Sequence, residues 1–332
     1  MEGIILYNNK VWSFRRALLS VIFLVYSLTL SSQYTIYQDI FQGGVVGTGY
    51  SPGSAGGNFS GSFDINIIPV GSSIKQAYLL AGRHGEAVDL PILFNGDNYL
   101  FSYENQVSPS FESIIYGGTS GVHLLDVTNS VNIANSNYGI TTNQIQLSAA
   151  NRYNDFYLLI VYENPALTPI SISVVLNNYD FSPLIDYNIY YLNPLMNDSD
   201  IGMALHTGYI CDVISDGEYV SVVGNNIGLI GGADFGSDYC GGPAGSFFYE
   251  SGILTALNDD VASSTMNESD ALANIQTYLN HLITSVSITF STQIPNNFTN
   301  AIWGLILTYT TPCQPFEATL LTSDTTTCPN VP

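Results

Sequence analysis

The stretch NDFYLLIVYENP, at residues 154–165, is the segment of the chain that says most about the fold. Its centre, Phe156 to Tyr162, is apolar or aromatic throughout, and Glu163, Asn164 and Pro165 close it. A continuous apolar run of this length, bounded by turn-forming residues, is typical of a β-strand buried on both faces. We therefore predict a core strand here. Glu163 is then either an ordinary strand-end residue or a catalytic acid carried to the strand's edge.

A similar stretch, IWGLILTYTTP, occurs at residues 302–312, at a constant offset of 147 residues. The alignment matches four pairs of residues: Phe156 with Trp303, Leu158 with Leu305, Tyr162 with Tyr309 and Pro165 with Pro312. Each copy follows an alternating strand pattern and an Asn-rich turn. The repeat predicts two tandem related domains, at residues 34–165 and 166–312. Thr310 stands where the first copy has Glu163, which favours the strand-end interpretation of that glutamate.

Short β-like runs separated by Gly, Asn, Pro and Ser fill the first of these domains. Aromatic and β-branched enrichment with frequent turn signals predicts an all-β fold of two tandem antiparallel β-sandwich, jelly-roll-like domains. The second domain also contains SDALANIQTYLNHL, at residues 269–282. Its apolar residues recur at helical spacing, at Leu272, Ile275, Leu279 and Leu282. We predict one short amphipathic helix there, packed against the second sandwich.

The first 33 residues have the composition of a secretory signal peptide. Lys10, Arg15 and Arg16 precede the apolar segment ALLSVIFLVYSLTL at 17–30, and Ser31, Ser32 and Gln33 follow it. The alternative is a short membrane anchor, but 14 residues fall short of the ~20 that span a bilayer as a helix. We predict cleavage near Ser32 or Gln33, a secreted, extracellular protein, and no membrane span after cleavage.

The charge of the chain excludes two classes of partner. Removal of the predicted signal would leave 26 acidic and 3 basic residues, a net charge near −23, with Lys75, Arg83 and Arg152 as the remaining bases. Nucleic acids and anionic membrane surfaces are bound mainly through Lys and Arg, so we expect neither as a partner. A neutral surface with 23 tyrosines either binds by stacking and hydrogen bonding or serves only solubility.

Four cysteines follow the predicted signal and indicate an oxidising compartment. Three pairings are open, and sequence proximity favours Cys211 with Cys240 and Cys313 with Cys328. A metal site is the competing interpretation, but neither spacing forms a close C-x-x-C knuckle and no histidine lies nearby in a ligand pattern. Disulfide bonds are therefore the prediction.

Four motifs in the first domain carry a resemblance to a known group of proteins. AYLLAGRHGE, LFNGDNY, GVHLLDVT and FYLLIVYENP resemble, in order, the repeated signatures of large secreted surface proteins of gliding bacteria and of related archaeal surface proteins. The matching residues are Ala77, Tyr78, Leu79, Leu80, Asn95, Gly96, Asp126, Val127, Thr128, Val161, Tyr162, Glu163 and Pro165. The resemblance covers roughly residues 34–312.

The resemblance implies architecture and location more than activity. Such domains look like adhesin or surface-display modules, with no active site implied. The tail at residues 313–332 similarly looks like the start of a cysteine-bounded module that often follows them. The sequence has no complete C-terminal sorting domain of the kind used in type IX secretion. We therefore expect either a shorter relative exported by another route or a truncated gene product.

Candidate catalytic and metal-binding residues are few. Arg83, His84 and Glu86 in GRHGE form either a small acid–base cluster or a glycine-bracketed turn, and the turn is the favoured interpretation. No G-x-S-x-G elbow or phosphate loop is present. In GGADFGSDYCGGPAGS, at 231–246, Asp234 and Asp238 could bind Ca²⁺ weakly, although the spacing is not that of an EF-hand. We favour a disulfide-anchored loop without metal and expect no other cofactor.

Rows of aromatic residues offer a platform for glycans. Tyr187 and Tyr191 share one strand face, as do Tyr99, Phe101 and Tyr103; each row either stacks on sugars or lines the core. Our interpretation is a secreted, non-catalytic structural or adhesin-like protein of the cell surface, with surface or matrix glycans or proteins as candidate partners. The alternative is a glycan-binding or carbohydrate-processing accessory protein.

Overall fold

The computed structural model describes residues 34–50, 58–65, 67–86, 88–108, 111–112, 119–144, 152–176, 184–190, 201–207, 218–229, 253–254, 266–267, 272–275, 278–279, 285–292 and 302–310. The predicted signal peptide, the four cysteines and the 231–246 loop lie outside these residues.

The chain is predominantly antiparallel β-sheet, which confirms the predicted all-β class. The strands in the N-terminal half are β1 (Tyr34–Tyr50), β2 (Phe59–Asp64), β3 (Ser73–His84), β4 (Leu90–Phe94), β5 (Asp97–Phe101), β6 (Phe111–Glu112), β7 (Thr119–Asp126), β8 (Asn137–Thr142) and β9 (Arg152–Glu163). Those that follow are β10 (Pro169–Leu176), β11 (Leu184–Tyr190), β12 (Ile201–Thr207), β13 (Glu218–Val222), β14 (Asn225–Leu229), β15 (Ile253–Leu254), β16 (Met266–Asn267), β17 (Leu272–Asn274), β18 (Ser285–Thr292) and β19 (Ile302–Thr310). Single 3₁₀ turns occur at Tyr103–Asn105 and Thr128–Ser130.

Three sheets can be traced among the described residues. The largest has the order β16-β17-β12-β19-β10-β1-β9-β3-β7-β6, with β15 also paired to β12. Two four-stranded sheets have the orders β2-β8-β4-β5 and β11-β18-β13-β14. Among the described residues, no helix is long and apolar enough to cross a membrane.

Strand β1 joins the strands on either side of it into one sheet. Its first half, from Tyr34 to Gln42, pairs with β10, and its second half, from Gly43 to Tyr50, pairs with β9. At the crossover the backbone N–H of Asn164 donates to the carbonyl of Gln42 at 2.9 Å. Consequently one unbroken strand carries hydrogen bonds to both halves of the sheet.

Strand β9, which contains the stretch quoted at the outset, lies between β1 and β3. Every residue from Phe156 to Tyr162 is buried, which confirms the prediction of a strand covered on both faces. Phe156, Leu158, Ile160 and Tyr162 belong to a first apolar cluster, which also takes side chains from the β2-β8-β4-β5 sheet. Tyr157, Leu159 and Val161 point the other way, into a second cluster with Ile172 and Val174 of β10.

The hairpin between β4 and β5 is closed by a two-residue turn. Asn95 and Gly96 both have positive φ, at 48° and 96°, which is the conformation that a type I′ turn requires and that Asn-Gly adopts most readily. Phe94 pairs with Asp97 directly across it. The Asn95 amide donates to the carbonyl of Ser130 at 2.7 Å, which anchors the turn to the 3₁₀ turn after β7.

The predicted helix over 269–282 is not found where this segment is described, and the expectation is corrected there. Leu272–Asn274 is strand β17, which pairs with β12, and the N–H of Ile275 donates to the carbonyl of Ile201 at 2.8 Å. The backbone groups at the edge of β12 need partners, and satisfying them outweighs a local helical pattern in so short a segment. Leu282 lies outside the described residues.

Candidate functional site

A cluster of buried polar side chains lies at the end of β3, within the motif that sequence analysis singled out. Arg83 is paired with Gly121 of β7 on one side and with Tyr153 of β9 on the other, so its side chain starts from the middle of the sheet. Both Arg83 and His123 of β7 are 0% exposed. A fully buried guanidinium is costly unless its N–H groups are satisfied by acceptors.

The surrounding segments supply those acceptors. Arg83 donates through Nε to His123 Nε2 at 2.9 Å and through Nη2 to Gln106 Oε1 at 2.8 Å. Its Nη1 donates to the Tyr103 hydroxyl at 3.2 Å and to the backbone carbonyls of Gly85 and Thr119. The ring of Tyr103 lies against the guanidinium, with its centroid 4.3 Å from Cζ. Arg83 therefore ties β3 to β7 and to the segment that follows β5.

The hydrogen bonds of His123 fix its tautomer. Because Nε2 accepts from Arg83, the ring proton resides on Nδ1, which donates to the carbonyl of Ser102 at 2.7 Å. Burial lowers the pKa of His123 to about 4, and the positive charge of Arg83 acts in the same direction. His123 is thus neutral at physiological pH, with both ring nitrogens engaged. A general base needs a lone pair that can reach a substrate, and this ring has none to offer.

The structure changes the membership of the GRHGE cluster that the sequence indicated. Arg83 is central, but its imidazole partner is His123, 40 residues along the chain, whereas the side chain of His84 lies outside the described residues. Burial lowers the pKa of the Arg83 guanidinium, and the charge of the exposed Glu86 partly opposes that shift. Sequence reasoning missed His123 and Gln106, because the pairing of β3 with β7 brings His123 to Arg83, and a bridge between Gln106 and His123 brings Gln106 there.

Glu163, for which the sequence allowed two roles, forms an ion pair. Lys75 contacts the Glu163 carboxylate and lies 3.4 Å from Asp39 Oδ2, with all three side chains partly exposed. Lys75 occupies an irregularity in the pairing of β3 with β9, between Ile74 and Gln76. Such a bulge redirects a side chain, and here the lysine meets the carboxylates on β9 and β1. This contact accounts for Glu163 as a strand-end residue.

The DVT motif has a structural explanation of the same kind. Asp126 Oδ1 accepts from the backbone N–H of Thr128 at 3.0 Å and from its hydroxyl at 2.6 Å, which closes a local turn. The Thr128 hydroxyl oxygen also accepts from the N–H of Ala77 on β3 at 2.9 Å. Gln76 donates its amide to Asp126 Oδ2 at 2.9 Å. The motif therefore fastens the end of β7 to β3.

The aromatic residues proposed for sugar stacking have packing partners where they are described, although Tyr103 is still 47% exposed. Tyr99 is half-buried; its hydroxyl lies 2.6 Å from Ser130 Oγ, and its ring packs edge-on against Phe94. Phe101 is fully buried, and Tyr103 lies over Arg83. Tyr187 is on β11 with its side chain outside the described residues, and Tyr191 lies outside them altogether.

The remaining predicted site residues lie outside the described part of the chain. These are the candidate Ca²⁺ ligands Asp234 and Asp238 and the cysteines Cys211, Cys240, Cys313 and Cys328. Within the residues that are described, no group of three or more His, Cys, Asp or Glu side chains is arranged to hold a metal ion.

No protein-family model matches the chain, and none of the curated proteins matches it. Among solved structures, the crystal structure of the STIV MCP aligns over 81% of this chain and 96% of that chain, at 12% identity and a TM-score of 0.21. A likeness at that TM-score carries no argument about fold or function.

Proposed function

We propose that this chain is a secreted, non-catalytic structural protein of the cell surface, adhesin-like in architecture and built from two tandem jelly-roll sandwiches. The observation that carries the proposal is a correspondence in strand order. The first unit would consist of β1(second half)-β9-β3-β7 facing β2-β8-β4-β5, and the second of β10-β19-β12-β17 facing β11-β18-β13-β14. Taken in chain order, each strand of the first unit has a counterpart at the same place in the second.

Two details of the strand pairing support the correspondence. β9 and β19, which carry the two similar stretches, are each interior strands flanked by the counterparts β1/β10 and β3/β12. The hairpins β4–β5 and β13–β14 are each closed by two residues with positive φ, Asn95-Gly96 and Val223-Gly224. A strand-for-strand repeat of eight-stranded sandwiches is the arrangement expected of a duplicated jelly roll.

The join between the two units suits a protein that bears load instead of performing chemistry. β1 pairs with both units, and the second apolar cluster takes Phe41 and Val45 from β1, Leu159 from β9, and Ile172 and Val174 from β10. An interface with an apolar core of this kind resists relative motion of the units, whereas enzymes that close over a substrate need such motion.

Within the part of the chain that the structure describes, two polar contacts with residues of catalytic type serve the fold. Arg83 and His123 satisfy each other beneath the surface, and Glu163 is paired with Lys75. Secretion is supported by the composition of residues 1–33 and by the four cysteines that follow them. These points together favour a structural role outside the cell over a soluble enzyme.

Surface labelling of intact cells tests the proposal. An antibody raised against the purified chain should label intact cells of the source organism as strongly as permeabilised cells. Protease added outside the cells should abolish this antibody labelling. Labelling that requires permeabilisation would overturn the surface assignment. A panel of glycosidase and esterase substrates should give no turnover with the purified chain, and turnover abolished by substitution of one of its residues would overturn the non-catalytic assignment.

A glycan array separates adhesion from the carbohydrate-binding alternative. If the chain is an adhesin-like scaffold without a sugar platform, Tyr99→Ala should leave any glycan signal unchanged, because the Tyr99 ring packs against Phe94 and its hydroxyl is bound to Ser130. Loss of glycan binding in Tyr187→Ala or Tyr191→Ala, in a folded protein, would favour the alternative.

A further inference from the structure

The sequence contains four N-x-[ST] motifs, the acceptor pattern for N-linked glycans, at Asn58, Asn197, Asn267 and Asn297. Asn58-Phe59-Ser60 is the motif whose three side chains the structure describes. Asn267 ends β16 with its side chain outside the described residues, and Asn197 and Asn297 lie outside them altogether. Asn58 is therefore the position at which this motif can be compared with the fold.

The motif places its two polar side chains in solvent and its middle residue in the core. Asn58 immediately precedes β2 and is exposed, and Ser60 is exposed as well. Phe59 is only 9% exposed and belongs to the first apolar cluster, with its ring centroid 5.1 Å from that of Phe156. Residues two apart in an extended chain lie on the same side. The Asn58 amide and the Ser60 hydroxyl thus share the outward side of β2, where an enzyme can reach both.

The surface beside Asn58 is open. The register of β2 with β8 pairs Phe59 with Thr142, so that Asn143 stands next to Asn58. On the same outward side, Gly139 of β8 has room for a side chain, because a Cβ built there would meet no atom within 4 Å. A glycan on Asn58 can therefore extend over this side of the sheet without displacing a core side chain.

Other asparagines in the N-terminal half serve the fold. The amide of Asn95 donates to the carbonyl of Ser130 at 2.7 Å, and the amide of Asn105 donates to the carbonyl of Leu100 at 2.8 Å. Side-chain nitrogens held in this way point at the protein's own backbone, and neither asparagine stands in an N-x-[ST] motif. The acceptor motif thus coincides with an asparagine that the fold presents to solvent.

We propose that Asn58 is an N-glycosylation site, which receives an oligosaccharide from a lipid-phosphate-linked donor during export of the chain. This inference rests on the proposed secretion, because N-linked glycans are a feature of exported proteins. In the transfer, the Asn58 Nδ2 forms a bond to C1 of the first sugar while the bond from C1 to the lipid phosphate oxygen breaks. The phosphate leaves with the electron pair of that bond, and Nδ2 gives up one proton. Nothing is oxidised or reduced.

Tryptic fragments separate Asn58 from the other three motifs. Trypsin cleaves after lysine and arginine, which occur beyond residue 33 only at Lys75, Arg83 and Arg152. The fragment that ends at Lys75 contains Asn58 as its one N-x-[ST] motif, whereas fragment 84–152 contains none and fragment 153–332 contains the other three. Each fragment therefore reports on a different set of asparagines.

Mass spectrometry of the full chain, purified from the source organism, denatured and digested, tests the proposal. The fragment that ends at Lys75 should be heavier than its sequence by the mass of a glycan, and electron-transfer fragmentation should place that mass on Asn58. Fragment 84–152 is the internal control and should have the mass of its sequence.

Four variants made in the source organism test the motif itself. Asn58→Gln and Ser60→Ala should each abolish the added mass, because the first removes the acceptor nitrogen and the second removes the hydroxyl of the motif. Ser60→Thr should retain it, since threonine also completes the motif. Asn143→Gln is the matched control and should leave the added mass unchanged, because Asn143 is an exposed asparagine beside Asn58 that stands in no such motif.

Two results would overturn the proposal. The first is an unmodified fragment ending at Lys75 in chain recovered from the cell surface, whether or not fragment 153–332 carries a glycan. The second is an added mass that persists in Asn58→Gln or Ser60→Ala. Either result leaves the surface assignment standing, since the chain was recovered outside the cell. A chain found only inside the cells would instead overturn the surface assignment, and this inference with it.

Discussion

Acidification should destabilise the protein through His123, the described histidine whose pKa is lowered in the folded state. Its folded-state pKa is about 4 against an ordinary value of 6.5, because burial and the charge of Arg83 both disfavour the imidazolium. The unfolded chain therefore binds the proton more tightly than the folded chain. The stabilisation is fully present above pH 6.5 and is lost as the pH falls from 6.5 towards 4.

The size of the effect follows from those two values. Each unit of pKa difference is worth about 1.4 kcal/mol of differential stability once both values are passed. Between pH 7.5 and pH 5 only part of the difference is realised, and the expected loss is about 2 kcal/mol. The carboxylates with lowered pKa, such as Asp126, contribute mainly below this window because their ordinary value is 3.8.

Urea unfolding followed by circular dichroism, at pH 7.5 and pH 5, measures the loss. His123→Gln is the comparison variant, since its amide oxygen can still accept from Arg83 Nε without titrating. The variant should be less stable at pH 7.5 but should lack the 2 kcal/mol pH term, while charge effects common to both proteins cancel. Equal pH dependence in the two proteins, within about 0.5 kcal/mol, would refute the reasoning.

Four further substitutions, one of them a control, test contacts between the strands by the same unfolding assay. Gly44→Ala should lower the free energy of unfolding by about 1 to 3 kcal/mol, because the new Cβ would lie 2.3 Å from the Tyr162 hydroxyl oxygen. Gly139→Ala is the control and should leave that free energy nearly unchanged, because its new Cβ would meet no atom within 4 Å. Thr128→Val should cost about 1 to 3 kcal/mol, because it leaves the buried N–H of Ala77 without its acceptor; a loss below about 0.5 kcal/mol would contradict this. Lys75→Met should cost less than about 1 kcal/mol, because the ion pairs are partly exposed, and its deficit should shrink in high salt; an unchanged deficit would argue against the ion pairs as its cause.

The core strand and the all-β class could be predicted from sequence because their signals are local. The seven-residue apolar run from Phe156 to Tyr162 needs burial on both faces whatever its neighbours are, and β9 provides that burial. The prediction of a helix over 269–282 was wrong for the opposite reason. Leu272–Asn274 pairs with β12, a strand that lies far earlier in the chain. The local spacing of apolar residues carries no information about such a distant pairing partner.

The polar cluster was predictable only in part. GRHGE drew attention to Arg83, but its partners depend on the antiparallel register of β3 with β7, which sets Arg83 beside Gly121 and so brings it within reach of His123. Glu163 was correctly interpreted as a strand-end residue, yet its partner Lys75 is presented by an irregularity in β3. Neither the register of two strands nor the position of a bulge can be predicted from a single sequence.

The continuity of β1 has a mechanical consequence. Tension applied to the chain at Tyr34 runs along the strand axis and loads the hydrogen bonds to β10 and then those to β9 in shear, where many bonds must yield together. Force would thus enter both halves of the molecule without passing through the short connection at residues 164–168. Single-molecule pulling from this end should record one unfolding event at high force that involves both halves. Two separate unfolding events at low force would contradict this.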